Sequence, residues 1–148
     1  MSNTRAYTAD QVTILIASAI IDSGYADGEF LLIQEDAPRI IKVVGSDGEV
    51  AISKNLNRAA TITLKLLSTS AGNNILSALM NLNSDGDGIG GIGPLSIRDR
   101  AGSSLHEAPA CWVEQAPSVS YDRSATSREW IIGVGHLTNF IGGNAIVG

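Results

Sequence analysis

Apolar and polar residues alternate from Thr61 to Leu66, with Ile62, Leu64 and Leu66 on one side and Thr61, Thr63 and Lys65 on the other. A period of two predicts a half-buried strand. A few residues later the period changes. Ala71, Ile75, Leu79 and Leu82 recur at helical spacing, and a hydroxyl at Thr69 or Ser70 can accept from the first free N–H groups of the helix. A strand therefore runs straight into what reads as the one good helix of the chain. No catalytic residue types decorate the junction, which points to a protein that works by assembling.

The remaining pattern is mostly short and β-like. Residues 12–21 (VTILIASAII) form the most apolar run. Its β-branched content predicts a first strand buried on both faces. It is too short for a membrane-spanning helix, which needs about 20 apolar residues, and its flanks make a poor signal peptide. Further strands are predicted at 28–34, 39–44, 49–54, 95–99, 109–115, 118–121 and 129–136. Gly45, Ser46, Asp47 and Gly48 lie between two of these, and Asp-Gly tolerates the positive φ of a hairpin turn. Residues 1–11 read as a flexible polar arm and 138–148 as a small, glycine-rich tail. The sum is one domain, a mainly β sandwich or small barrel with one flanking helix.

Composition narrows the functional classes. The chain has 148 residues, 44 % hydrophobic and 17 % charged, against roughly 25 % charged in soluble domains. Too few charges to coat a monomer hints at surface hidden in contacts. The net charge of −5 and scattered basic residues argue against a nucleic-acid binder, which shows a basic patch or stripe. Cys111 is the only cysteine, so neither an intrachain disulfide nor a cysteine-based zinc site can form from it.

Several motifs tempt and fail on context. Asn83, Asp85, Asp87 and Gly88 match the start of a calcium loop, but its twelfth position is Pro94 where a bidentate Glu is needed. The glycines from Gly88 to Gly93 satisfy G-x-G-x-x-G, yet a helix precedes them where a strand is required. His106 is expected in a loop and His136 at a strand end, with no nucleophile elbow in the chain. Cys111 and Trp130 read as core, and Tyr121 as a hydrogen-bonding residue at a strand end. No enzymatic activity, metal or cofactor is expected.

Two segments carry a family resemblance. The first runs from Ala60 to Ser70 (ATITLKLLSTS) with Leu76-Ser-Ala-Leu79 behind it. The second is Cys111 to Tyr121 (CWVEQAPSVSY) followed by Glu129 to Gly135 (EWIIGVG). Their order and spacing resemble bacteriophage structural proteins that form the tail tube of contractile-tailed phages, and the Gly45–Glu49 turn sits where that family carries a hairpin. The resemblance implies a β-sandwich subunit, six per ring, with rings stacked into a hollow tube that conducts viral DNA. It also implies sheath, tape-measure and baseplate partners, transient passage of DNA, no membrane partner, assembly in the host cytoplasm and a place in the virion tail. A contractile bacteriocin or type VI-like secretion tube is the alternative within the lineage. A secreted small-ligand-binding β-barrel is the alternative outside it. Ser46, Asp47, Gly48 and Glu49 are candidates for contacts between subunits or rings. Glu114 and Glu129 are candidates for the lumen wall.

Overall fold

In the computed structural model, residues 12–17, 19–21, 24–26, 28–84, 90–99, 103–124 and 126–142 are described. The 1–11 arm, most of the calcium-like and glycine-rich motifs, and the tail beyond 142 lie outside them. The architecture is mainly β, with one helix among the described residues. The strands are β1 (Val12–Ile16), β2 (Ala19–Ile21), β3 (Leu31–Glu35), β4 (Ile40–Val44), β5 (Val50–Lys54) and β6 (Ala60–Leu67). After helix α1 (Gly72–Ser84) come β7 (Gly93–Asp99), β8 (Leu105–Gln115), β9 (Ser127–Val134) and β10 (Thr138–Phe140). One antiparallel sheet runs β2-β1-β7-β8-β9-β6-β3, with β10 also on β8, while β4 and β5 form a sheet of their own.

Strict alternation builds the core. On β6, Ala60, Ile62, Leu64 and Leu66 are buried, with half-buried residues between them. β1 and β9 point Ile14, Ile16, Trp130, Ile132 and Val134 at the same interior. Each strand thus turns one face to a shared apolar layer and one outward.

The strand-to-helix junction forms as expected. Ser70 Oγ accepts from the Gly72 N–H at 3.1 Å, leaving one fewer orphan donor at the helix start. The buried stripe differs from the expected one. Leu76 is fully buried with Leu79 and Met80 beside the core, whereas Ala71 precedes the helix and Leu82 is exposed. Asn73 sets this rotation. It is 4 % exposed, accepts from Trp130 Nε1 at 2.9 Å, and donates to the carbonyls of Leu67 and Ser70 at 2.9 and 3.1 Å.

Other expectations need correction. The 12–21 run is two strands, paired as Ile16↔Ala19 and Ile14↔Ile21. Ala17 turns the chain with φ 50°, and its N–H is held by Pro94 O at 2.8 Å. Gly93 lies so close that an added β-carbon would stand 2.7 Å from Ala17 Cα, which explains a glycine there. Residues 118–121 are not a strand; they belong to an exposed loop in which Tyr121 is 90 % exposed. His106 is on β8, not in a loop, and His136 follows β9. Thr138 to Phe140 form β10 inside the expected tail.

Asn73→Ala is expected to lower stability by about 1–3 kcal/mol, because it leaves the buried Trp130 donor without its acceptor, while the Leu67 and Ser70 carbonyls keep backbone N–H partners. Chemical denaturation should show a lower midpoint with an unchanged slope.

Candidate assembly interface

The described residues carry one feature whose chemistry the fold does not consume. β4 and β5 pair only with each other, from Ile40↔Lys54 to Val44↔Val50, and every residue of both strands is exposed. Residues opposite each other share a face. One face carries Ile40, Lys42, Val44, Val50, Ile52 and Lys54; the other carries Ile41, Val43, Ala51 and Ser53. Both faces are largely apolar, and Ile52 is 71 % exposed. A lone two-stranded ribbon is marginal in water, and a contiguous exposed apolar patch marks an interaction site. Burying a side chain such as Ile52 gains about 1–2 kcal/mol in proportion to the area covered.

The ribbon is fastened at its root. Arg39 Nε donates to Glu35 Oε1 at 2.8 Å. Asn55 donates its N–H to Arg39 O at 2.9 Å and its side-chain amide to Pro38 O at 2.8 Å. Thr61 Oγ1 donates to Asp36 Oδ1 at 2.9 Å. Asn57 and Ala59 donate their N–H groups to the side-chain oxygens of Asn55 and Asn57, so successive Asx turns lead the chain back into β6. Asn139 on β10 lies near enough to Glu35 to help hold its carboxylate ionised, and it meets His106 Nδ1 through its own Oδ1. A string of polar contacts thus ties the ribbon root to β8. Sequence reasoning missed this string, since its members are far apart along the chain.

The tip is a self-satisfied turn. Gly45 N donates to Glu49 O at 2.7 Å and Gly48 N to Gly45 O at 3.0 Å. Asp47 Oδ1 accepts from Glu49 N at 3.0 Å, and Gly48 has φ 86°, a left-handed value that favours glycine. Ser46, Asp47, Gly48 and Glu49 are all exposed. The larger apolar resource lies on the strands behind them.

Glu114 and Glu129 are both exposed, on β8 and β9. Glu129 lies opposite Lys65 of β6. Glu114 is the extra residue where Val113 and Gln115 pair with Ile132 and Ile131, a β-bulge that re-aims the side chain. Beside them the Trp112 indole covers Gly133, where a β-carbon would stand 2.4 Å from Trp112 Nε1. Cys111 is fully buried, and burial pushes its thiol pKa up, which keeps it an unreactive core residue.

Glu35 has a lowered pKa, chiefly because Arg39 hydrogen-bonds its carboxylate. A depressed folded pKa adds stability that is present above the unfolded value and lost as pH falls through the folded one. With side chains 25 % and 40 % exposed for Glu35 and Arg39, the pair is screened. Glu35→Gln should cost less than about 1 kcal/mol at neutral pH. The difference from wild type should vanish below the ordinary carboxylate range, in denaturation curves recorded against pH.

Comparison with known proteins places this geometry. The family model described as "Bacteriophage PhiTE tail tube protein" matches residues 11–142. The chain is 26 % identical over 146 residues to "Structural protein ORF10" of Pseudomonas phage KPP10, covering 95 % of this chain and 84 % of that protein. Among solved structures, a chain of the virion of a native gene transfer agent particle superposes with TM-score 0.61 at 12 % identity, over 92 % of this chain and 100 % of that one. The tube-terminating cap of the anti-feeding prophage gives TM-score 0.57 at 9 % identity, over 95 % and 94 % of the two chains. At these identities the structural matches establish the shared fold.

Proposed function

The chain belongs to the bacteriophage PhiTE tail tube protein family, and from that membership we propose that it is the repeating subunit of a phage tail tube, built from stacked six-membered rings whose lumen conducts viral DNA. The observation that carries the assembly reading is the β4–β5 ribbon, apolar on both faces and exposed along its whole length. A monomer gains nothing from such a ribbon and risks aggregation. A neighbouring copy turns it into buried area. Rings closed by repeating one contact, then stacked by another, give a filament.

Conduction needs a wall that does not hold phosphates. Six copies of a chain with net charge −5 sum to about −30 per ring, a field that repels a polyanion. In this reading Glu114 and Glu129 face the lumen, with Lys65 opposite Glu129 keeping the local balance near neutral. The hairpin tip from Ser46 to Glu49 contacts the next subunit or ring. Sheath, tape-measure and baseplate proteins complete the tail, assembly takes place in the host cytoplasm, and the subunit has no enzymatic role.

Negative-stain imaging of purified protein, with light scattering on a sizing column, tests the assembly. Six-fold rings or tubes are expected, and a stable monomer at high concentration would overturn the reading. Assembled tubes should not retain duplex DNA in a gel shift at physiological salt. Glu114→Lys combined with Glu129→Lys should introduce salt-dependent retention and slow DNA delivery in an infection assay. Tight DNA binding by wild-type tubes would sink the conduit, and loss of tubes in the variant would place these carboxylates at a subunit contact.

A further inference from the structure

The main sheet ends on β3, whose second edge has no partner strand among the described residues. The direction of its backbone groups follows from two bonds. Asp36 N donates to Ala59 O, and Lys65 N donates to Phe30 O. With the β3–β6 register, even-numbered residues of β3 bond to β6. The N–H and C=O groups of Leu31, Ile33 and Glu35 therefore point to the open edge. Leu31 and Ile33 line a cleft of about 480 Å³ whose other walls are the apolar Val12, Ile97 and Ile141 and the polar Asp99, Ser104 and His106.

The ribbon has the complementary pattern. Gly45 N donates to Glu49 O and Asn55 N to Arg39 O, so odd-numbered residues bond across the ribbon. The backbone groups of Val50, Ile52 and Lys54 point outward from β5. In an antiparallel pair, residues that exchange both hydrogen bonds lie directly opposite and share a face. If β5 of one copy pairs antiparallel with β3 of another, Ile52 falls opposite Ile33, Val50 opposite Glu35 and Lys54 opposite Leu31. All five residues of each strand are used. Ile52 then faces the cleft, and Lys54 lies at the solvent end, where the exposed loop residue Glu29 leads into β3. The outer edge of β4 fits worse, because the same centred register sets Lys42 opposite Ile33 and loses the apolar cross-strand pair that Ile52 makes.

We propose that β5 of one copy adds antiparallel to the open edge of β3 of a second copy, with Ile52 over Ile33 closing the cleft. This rests on the tube-subunit reading above and specifies which surfaces meet. Lys54 arrives at the end of β3 beside the acidic loop residue Glu29, and paired backbone groups remove two exposed edges at one contact.

Two measurements on assembled protein test it. First, a chain with Ile33→Cys and Ile52→Cys is oxidised mildly, with Ile33→Cys and Ile41→Cys as the control from the opposite ribbon face. Hydrogen-bonded strand neighbours about 5.5 Å apart are within disulfide reach. A ladder of covalent multimers is expected from the first pair and not from the control. Tubes that give no ladder, a ladder equal to the control, or a disulfide within one chain overturn the docking while the tube reading stands. Absence of any assembly of wild type overturns both. Second, hydrogen exchange on wild-type protein needs no substitution. The amides of Leu31, Ile33, Glu35, Val50, Ile52 and Lys54 should exchange at least tenfold more slowly in tubes than in dissociated subunits. Unchanged rates at these six amides in tubes overturn the proposal even if the cysteine variants fail to fold.

Discussion

The carboxamide of Asn73 is where three parts of the fold are joined. Its oxygen accepts from the Trp130 indole on β9, and its amide reaches the carbonyls of Leu67 and Ser70 where β6 gives way to α1. A buried amide with both ends satisfied is costly to replace and admits little rotation. It sets which side of α1 faces inward, so Leu76 enters the core and Leu82 stays in water. It also ties the end of β6 to β9, its partner along eight residue pairs. Since β3 hangs on β6 and the ribbon hangs on β3, the aim of the ribbon traces back to this junction.

From there the molecule divides its chemistry sharply. Apolar residues inside the curled sheet are spent on one subunit's stability. Those on the ribbon are held outside, on a root fixed by Arg39, Glu35, Asn55 and Asn139. A firm root matters because ordering a floppy arm at the moment of contact would cost conformational entropy. The contact proposed above then relies on fit and burial, with few charges involved.

Much of this was legible in the chain, for physical reasons that differ by element. The period change between Leu66 and Ile75 is a direct image of strand and helix geometry, and Asp47-Gly48 demands a turn whatever surrounds it. The β1–β2 bend was hidden, because a continuous apolar run has no polar punctuation and Ala17 is not a residue one expects at positive φ. Residues 118–121 alternate like a strand yet lie in a loop, for want of a partner to pair with. The ribbon was hidden in another sense. Residues 39–44 read as a strand with apolar side chains, and so they are, but hydropathy cannot say which molecule covers them. The polar string from Arg39 to His106 brings together residues that only the tertiary fold makes neighbours.

The same topology sets a clock. The ribbon is a local hairpin, and such pairs close in about 1–10 μs. The body is assembled from distant partners: Val12 must find Asp99, and Ala60 must find Val134. Non-local pairing of this kind is slow. During synthesis the sticky arm is therefore complete before β7, β8 and β9 exist, and before the sheet that carries it has closed. For that interval the nascent chain displays its apolar ribbon before its own β3 edge and cleft are complete. On the tube-subunit reading proposed above, such a chain can offer its ribbon to a finished neighbour before it can receive one itself.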